Sequence, residues 1–288
     1  MVRIFDLLKE AREKFNSVGL DTPQLDAEVI LCHLLKVERI HLHMYPGKEI
    51  SWEICRKFRE AVEKRAKFMP VQYIINQQEF MGMNFFIEEG VLIPRGDTEI
   101  LVEEVLSLYK KYYPTQQIKV VDIGTGSGAI TISLAKFIER IEVISIDISP
   151  KALEVARRNA EGLGVVDKIQ FVQGSILEPL RDNGHDNGLQ MIISNPPYIP
   201  RAVVEGLQPQ VKDYEPHLAL VGGEDGLDFY REIIVNAPLY LEDDGWLVFE
   251  IGYDQGESVS CLMEARGFKE VKVIKDLAGL DRVVLGKK

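Results

Sequence analysis

Strand-like and helical segments alternate along the chain from about residue 97 onward. A helix is predicted at 97–112, and the buried strands predicted after it are IKVVDIG (118–124), IEVISID (141–147), KIQFVQG (168–174) and MIISN (191–195). Strands that alternate with helices pair in parallel through crossover connections. The pattern therefore predicts an α/β fold, a parallel sheet with helices on both faces, which C-terminal strand segments would extend with an antiparallel edge.

The first 96 residues follow different patterns. Apolar residues recur at three- and four-residue steps near the start of the chain, and Thr22 and Ser51 stand where two further helices would begin. After Pro70 the sequence becomes rich in aromatic and β-branched residues interrupted by glycine, which predicts a β-hairpin. The expected domains are a small N-terminal helical bundle at 1–72, a linking β-hairpin at 73–96 and the α/β domain at 97–288.

Charge and cysteine content narrow the classes of function. The 288-residue chain has a formal net charge of -11, which disfavours direct binding to nucleic acid. Its three cysteines are widely spaced and lack a C-x-x-C pair, as expected of reduced thiols, and the pair His41 and His43 has no companion ligands, so no metal site is predicted. Residues 1–19 mix charged and apolar residues, which predicts neither a signal peptide nor a membrane span. We expect a cytoplasmic protein without membrane contact.

A glycine-rich turn joins the first predicted strand of the sheet to a helix. The segment VVDIGTGSGAI places Gly124, Gly126 and Gly128 at this turn, where glycine lets the backbone approach a ligand and the helix offers free N–H groups. A nucleotide-type cofactor suits this position. With Ala129 the turn also satisfies the dinucleotide fingerprint G-x-G-x-x-A, so the glycines alone leave open both a nicotinamide dinucleotide and S-adenosylmethionine.

Two aspartates accompany the glycine turn. Asp147 ends the second strand, where its carboxylate can accept hydrogen bonds from the ribose hydroxyls of either cofactor. Asp122 lies two residues before Gly124 and would repel the pyrophosphate of a dinucleotide, whereas it suits the positive charges of S-adenosylmethionine. The alternative is that Asp122 only caps the following turn. Together the two aspartates favour S-adenosylmethionine.

The strand MIISN is followed by two prolines and a tyrosine. Ligands in open α/β sheets lie at the carboxyl ends of the strands, so Asn195 should emerge beside the cofactor. Pro196 and Pro197 lack N–H groups and hold the chain extended, which leaves the Asn195 side-chain oxygen and the Pro196 carbonyl as rigid acceptors. Such acceptors suit an NH2 group on a planar nitrogen, on which Tyr198 can stack. We predict a methyltransferase for such a group, with Asn195, Pro196 and Tyr198 as catalytic residues.

These motifs and several longer segments resemble the bacterial protein-glutamine methyltransferases of peptide chain release factors, the PrmC/HemK family. The shared segments cover nearly the whole chain in the family's order: PVQYIINQQEF, VLIPRGDTE, DIGTGSG, NPPYIP, YEPHLALVGGEDGLDFYR and FEIGYDQG. The resemblance implies a seven-stranded Rossmann-like S-adenosylmethionine-dependent methyltransferase domain preceded by a helical domain that recognises the substrate. It implies S-adenosylmethionine as donor, S-adenosylhomocysteine as product and, as acceptor, the glutamine amide in the Gly-Gly-Gln loop of peptide chain release factors.

The resemblance also carries substrate-binding residues over, motif by motif. Asn195 and Pro196 would bind the glutamine amide, and Tyr198 would pack nearby. The segment IPRGDTE would contribute to the pocket floor; alternatively, its polar residues form only a helix cap and its ion pairs. The residues expected to bind substrate are Asn195, Pro196, Pro197, Tyr198, Arg95, Thr98 and Glu99.

For the cofactor, the resemblance implies that the glycines line its methionine part and that Asp147 holds its ribose. The residues expected to bind it are Asp122, Gly124, Thr125, Gly126, Gly128, Asp147, Ile148, Ser175 and Asn195. Two departures from the family pattern concern these sites. Gly96 and Asp97 replace the usual Pro and Glu, and Ser175 stands where an acidic residue is often found near the adenine.

Three other interpretations remain open from the sequence. An adenine or guanine amino methyltransferase of DNA or RNA shares the Asn-Pro-Pro-Tyr motif, although the acidic chain has no obvious basic stripe to bind nucleic acid. An NAD-dependent oxidoreductase fits the glycine turn but leaves Asp122 and Asn-Pro-Pro-Tyr unexplained. A non-catalytic binding module would have no need of the cofactor turn.

Overall fold

The structure is a computed structural model that describes residues 2–182 and 188–288. The described chain divides into two compact units. The first runs to Gln77 and also includes Gln208–Tyr214, and the second comprises Gln78–Leu207 and Glu215–Lys288. The first unit thus ends near the expected limit of the helical domain at residue 72, and it also includes a segment more than 130 residues further along the chain.

Helices form most of the first unit. Its elements are β1 (Val2–Arg3), α1 (Ile4–Ser17), α2 (Pro23–Leu35), α3 (Arg39–Met44), β2 (Glu49–Ile50), α4 (Trp52–Arg65) and α5 (Val71–Ile75). Apolar residues at helical spacing on α1 are buried in the core of this unit. The short antiparallel pair of β1 with β2 was not predicted, and Val71–Ile75, which was assigned in part to the hairpin, forms a helical turn between Pro70 and the left-handed Asn76.

The side chains of Thr22 and Ser51, at two predicted helix starts, form different kinds of hydrogen bond. The Ser51 hydroxyl accepts a hydrogen bond from the Ile54 amide at 3.4 Å, which confirms it as the cap of α4. Thr22 precedes α2, but its hydroxyl donates to Asp26 Oδ1 at 2.8 Å. That bond helps to hold Asp26, which forms a buried ion pair with Arg65, 2.7 Å from Oδ2 to Nε. Arg65 also donates to Gln210 Oε1 at 3.1 Å, which ties the returning segment to the helices.

The second unit begins with the hairpin and continues as alternating helices and strands. The hairpin turns through Met81 and Gly82, both at positive φ, as a two-residue turn between antiparallel strands requires. The elements after the first unit are β3 (Gln77–Phe80), β4 (Met83–Phe86), α6 (Thr98–Tyr112), β5 (Ile118–Ile123), α7 (Ala129–Phe137), β6 (Ile141–Asp147), α8 (Pro150–Gly162), β7 (Ile169–Gln173), α9 (Glu178–Asp182), β8 (Leu189–Ser194), α10 (Arg201–Val204), α11 (Pro209–Lys212, in the first unit), α12 (Asp228–Asn236), β9 (Leu241–Glu250), α13 (Gly256–Ala265), β10 (Lys269–Lys275) and β11 (Asp281–Lys287).

Seven of the described strands form one sheet in the order β10-β11-β9-β8-β5-β6-β7. The pairs from β9 to β7 are parallel, and β11 pairs antiparallel with both β9 and β10. Nearly every residue of β5 and β8 is buried, as expected of parallel strands covered on both faces. The sheet confirms the predicted α/β class, the seven strands and the antiparallel edge.

Chain direction across the sheet changes between β5 and β8. The chain passes from β5 through β6 to β7 on one side and then returns to place β8 on the other side of β5. Crevices at such switch points bind ligands in open α/β sheets. None of the helices in the described ranges has the length and apolar character needed to cross a membrane.

Candidate active site

A cavity of about 350 Å³ opens at the carboxyl ends of β5, β6 and β8. Its wall includes residues at the end of these strands or directly after them: Gly124, Gly126, Asp147, Ile148, Asn195, Pro196 and Pro197. Ser175 lines it as well, from the segment after β7. The cavity thus lies at the switch point, and one space joins the glycine turn to the segment that contains the two prolines.

The glycine turn needs residues without side chains for two separate reasons. Gly124, Gly126 and Gly128 all have positive φ, between 55° and 85°, which L side chains rarely adopt. A Cβ on Gly124 would meet only the Asn195 carbonyl oxygen, at 3.7 Å, so this glycine leaves the cavity floor open. A Cβ on Gly128 would lie 2.7 Å from Ile132 Cδ1, so Gly128 instead permits helix packing and does not line the cavity.

Asp147 presents a carboxylate whose position is fixed by the backbone. Its Oδ2 accepts from the Gly126 amide at 2.9 Å, and its Oδ1 accepts from the Ser149 amide at 2.8 Å. Burial raises the pKa of Asp147, and these backbone hydrogen bonds oppose the rise. Each oxygen retains a lone pair, so the carboxylate can accept two further hydrogen bonds from a ligand in the cavity.

Asp122 lies beneath the glycine turn and not on the cavity wall. Its side chain is fully buried and accepts a hydrogen bond from the Thr131 hydroxyl. The Ser145 hydroxyl lies 2.8 Å from both the Thr131 and Thr125 hydroxyls, which extends this network under the turn. Burial raises the pKa of Asp122 to about 7, and Oδ1 has no hydrogen-bond partner within the described residues. The predicted contact of Asp122 and Thr125 with a cofactor stays a prediction.

The segment after β8 is held from behind by Gln255 and two glycines. Gln255 Nε2 donates to the Tyr198 carbonyl at 3.1 Å, while its Oε1 accepts from the Gly252 amide at 3.0 Å. A Cβ on Gly222 would lie 2.6 Å from the Pro197 carbonyl oxygen, and one on Gly226 would lie 2.3 Å from that of Tyr198. The chain at 195–198 therefore has its backbone fixed by close contact, before any ligand binds.

The Asn195 side chain contacts two polar groups away from the cavity. Its Nδ2 donates to the Thr98 hydroxyl at 3.3 Å. Glu250, the last residue of β9, is buried beside both side chains. Burial raises the pKa of Glu250 to about 7, and hydrogen bonding from Thr98 and Asn195, with the positive charge of Arg282, opposes the rise. Thr98 was predicted for the pocket floor, and the structure brings it to Asn195.

Three other predicted residues do not line the cavity. Arg95 forms an ion pair with the buried carboxylate of Glu215, and Glu99 Oε1 accepts from the Met81 amide at 2.6 Å. Tyr198 is partly buried against the core, and burial raises the pKa of its hydroxyl to about 12. These contacts agree with the alternative in which the segment around Arg95 serves the fold, while the predicted contacts with substrate stay predictions.

Comparison with known proteins places the chain in a family. A sequence profile described as "PrmC N-terminal domain" matches residues 6–75, and one described as "Methyltransferase domain" matches residues 114–236. The chain is 40% identical over 285 residues to a protein of Clostridium acetobutylicum named release factor glutamine methyltransferase, covering 99% of this chain and 96% of that one. It is 41% identical over 284 residues to a Bacillus cereus protein of the same name, covering 98% of each. The chain belongs to the release factor glutamine methyltransferase family.

A solved structure supports the fold of this family member independently. The catalytic domain of hMettl16, solved in complex with a MAT2A 3′UTR hairpin, matches with a TM-score of 0.56 and 15% sequence identity. The match covers 83% of this chain and 84% of that domain. At this level of identity the likeness shows a shared methyltransferase fold and nothing about the substrate.

The sequence interpretation assigned no role to Glu250, Gln255 or the glycines at 222 and 226. These residues lie in the segments FEIGYDQG and VGGEDG, which contributed to the sequence resemblance, yet each segment is distant in sequence from Asn195. A signal for Glu250 was present, because a charged residue in the otherwise apolar run WLVFEIG stands out as Asp122 does in VVDIG. Gln255 and Gly226 had no such signal, since only their packing against Tyr198 shows their role.

Proposed function

We propose that this enzyme transfers a methyl group from S-adenosylmethionine to the side-chain amide nitrogen of the glutamine in the Gly-Gly-Gln loop of peptide chain release factors. The observation that carries the proposal is the cavity that joins Gly124 and Asp147 to Asn195 and Pro196, in a chain whose near full-length relatives are named release factor glutamine methyltransferase. Release factors act in translation, so we place the activity in the cytoplasm.

The cavity suits S-adenosylmethionine in chemistry and shape. Gly124 leaves the floor open at the end of β5, and the Asp147 carboxylate has two lone pairs free for ribose hydroxyls. Ile148 and Ser175 lie on the same wall and would flank the adenosine part. When bound, S-adenosylmethionine supplies an electrophilic methyl group.

Asn195 and Pro196 would hold the acceptor. The Asn195 side-chain oxygen and the Pro196 carbonyl accept the two hydrogens of a glutamine amide, which fixes its nitrogen in one orientation. The same oxygens stabilise positive charge that develops on this nitrogen as its bond to carbon forms. The methylated nitrogen is then acidic enough to lose one proton to water, so the reaction needs no strong general base in this chain.

The direct test is transfer of labelled methyl from S-adenosylmethionine to a purified release factor. A second release factor, whose loop glutamine is replaced by asparagine, and samples of DNA and RNA serve as parallel acceptors. We expect label on the intact release factor alone. Label on nucleic acid alone would keep the methyltransferase and overturn the substrate, and label on both release factors would place the reaction at another residue.

A further inference from the structure

Glu250 lies beside Asn195 because of the register of two parallel strands. Ser194 of β8 pairs with Phe249 of β9, so Asn195 and Glu250 leave the sheet side by side at its carboxyl edge. Glu250 is 1% exposed and does not line the cavity. Its Oε2 has no hydrogen-bond partner within the described part of the chain. Burial of a carboxyl group with an unpartnered oxygen costs free energy of folding. Such a group next to the side chain predicted to bind substrate indicates a role in the site.

The side chains of Asn195, Thr98 and Glu250 lie together, and a hydrogen-bonded chain through them can have only one direction. An ionised carboxylate only accepts hydrogen bonds, so a Thr98 hydroxyl that bonds to the neighbouring Glu250 must donate its hydrogen to it. The Thr98 oxygen can then only accept, and the group that donates to it is Asn195 Nδ2, at 3.3 Å. The Asn195 amide cannot turn over without placing its oxygen against two acceptors. The oxygen of the Asn195 amide, and not its NH2 group, therefore faces the cavity.

We propose that Glu250 is a positioning residue for the methyl transfer: its buried carboxylate, acting directly and through Thr98, keeps the Asn195 side-chain oxygen turned toward the acceptor. The inference rests on the proposed function, because it assumes that this oxygen binds an amide NH2 group. A turned Asn195 would present donors to donors, and the acceptor nitrogen would lose its orientation.

Ionisation of Glu250 should be visible in the rate. Burial raises the pKa of this group to about 7, and four charged or titratable groups face it: Arg282 of β11, Asp97 before α6, Tyr198 after β8 and Tyr230 of α12. A protonated Glu250 can donate to Thr98, which frees Thr98 to donate to a turned Asn195 amide. Turnover should therefore rise as the pH increases through the region of 7.

The test compares Glu250→Gln with wild type in methyl transfer to an intact release factor across pH 6 to 9. Glutamine keeps the shape of the glutamate side chain but carries both a hydrogen-bond donor and an acceptor. It therefore no longer fixes the direction of the hydrogen bonds through Thr98 and Asn195. We expect kcat at pH 8 to fall about tenfold, as for one lost hydrogen bond, with the rise near pH 7 abolished and binding of S-adenosylhomocysteine unchanged. Glu104→Gln is the matched control, because burial also raises the pKa of Glu104, on α6 and outside the cavity. It should retain both the rate and the rise.

A double variant separates positioning from general stability. If Glu250 acts through Asn195, then Glu250→Gln in an Asn195→Ala background lowers kcat no further, within about twofold. Thr98→Val interrupts the same chain and provides a second test if Glu250→Gln does not fold. If the two substitutions lowered kcat independently, so that their effects multiplied in the double variant, the proposal would be overturned. A wild-type pH profile in Glu250→Gln would overturn it as well. Either result would leave the methyl transfer measured with wild type, and hence the proposed function, intact.

Discussion

Burial is the largest cause of a raised pKa at four carboxyl groups behind or beside the cavity: Asp122, Asp147, Glu215 and Glu250. In each group, hydrogen bonds or a neighbouring arginine offset only part of this rise in the pKa. Of the four, Asp147 alone lines the cavity, whereas the other three lie behind the residues that line it. At this scale, the proposed functions assign the ribose to Asp147 and the acceptor amide to Asn195, and single substitutions test the two assignments separately.

Replacement of Asn195 by alanine tests the acceptor side. The change removes one of the two oxygens proposed to orient the amide, and we expect kcat to fall roughly 100-fold or more, well beyond any loss of affinity for S-adenosylhomocysteine. Steady-state methyl transfer and calorimetric titration with S-adenosylhomocysteine measure the two quantities. Near-normal turnover in the folded variant would remove Asn195 from the mechanism.

Replacement of Asp147 by alanine tests the cofactor side. The variant loses both acceptors for ribose hydroxyls and the bond that holds the Gly126 amide, so affinity for S-adenosylhomocysteine should weaken roughly 10- to 100-fold. Asp147→Asn keeps one acceptor and should lie between alanine and wild type in the same titration. Equal affinity in all three proteins would show that the ribose is bound elsewhere.

At the scale of elements, the segment that follows β8 depends on another connection for its shape. Residues 222–226 lie between the short 3₁₀ helix at His217–Ala219 and α12, and Gly222 and Gly226 pack against the carbonyl groups of Pro197 and Tyr198. The Ile199 amide also donates to the Leu220 carbonyl at 2.9 Å, and the Gly222 amide donates to the Ile199 carbonyl at 2.9 Å. The two loops thus pack as one wall, which fixes the backbone of residues 197–199 directly after Pro196.

A single methyl group at Gly222 should disturb this wall. A Cβ there would lie 2.6 Å from the Pro197 carbonyl oxygen and 2.8 Å from Tyr198 Cα, and backbone atoms cannot rotate out of its way. We expect Gly222→Ala to lower kcat at least about tenfold and to destabilise the fold by about 1–3 kcal/mol. In Gly162→Ala, the control, the new Cβ meets no atom within 4 Å, and both activity and stability should be retained. Normal activity in Gly222→Ala would show that the wall tolerates displacement.

At the scale of the whole molecule, buried carboxyl groups should affect how stability depends on pH. Burial raises the pKa of Asp122 to about 7 in the folded protein, against about 3.9 in an unfolded chain. The folded state therefore holds this proton more tightly, and the stabilisation is complete below about pH 4 and is lost as the pH rises through about 7. Asp122→Asn removes the titration, so its unfolding free energy should fall less than that of wild type between pH 5 and pH 8.

The unfolding free energy of the sheet unit can be measured separately, because the chain contains two tryptophans and one lies in each unit. Trp52 lies in the helical unit and is 77% exposed, whereas Trp246 is buried in β9. In a Trp52→Phe background, urea unfolding followed by tryptophan fluorescence reports on the sheet alone. The same loss of stability with pH in the Asp122→Asn protein would contradict the assignment of that dependence to Asp122.

The sequence alone was sufficient to predict the elements and the chemistry that local patterns encode. Alternating strands and helices predicted the parallel sheet, and the strand ends placed the glycine turn, Asp147 and Asn195 at one edge of it. These predictions succeeded because hydrophobic periodicity and turn chemistry act over a few residues. Parallel pairing then places the carboxyl ends of the strands at the same edge of the sheet, and this does not depend on the lengths of the connections.

Only the tertiary structure decided which distant side chains meet. The register of β8 with β9 brings Glu250 to Asn195, and packing places Gln255 and Gly226 against Tyr198. It also returns Gln208–Tyr214 to the helical unit, where Gln210 bonds to Arg65. None of these contacts follows from a local pattern, because each depends on the pairing of segments that only the assembled core specifies. The sequence therefore predicted which groups meet at one edge of the sheet, and the structure showed what holds those groups in position.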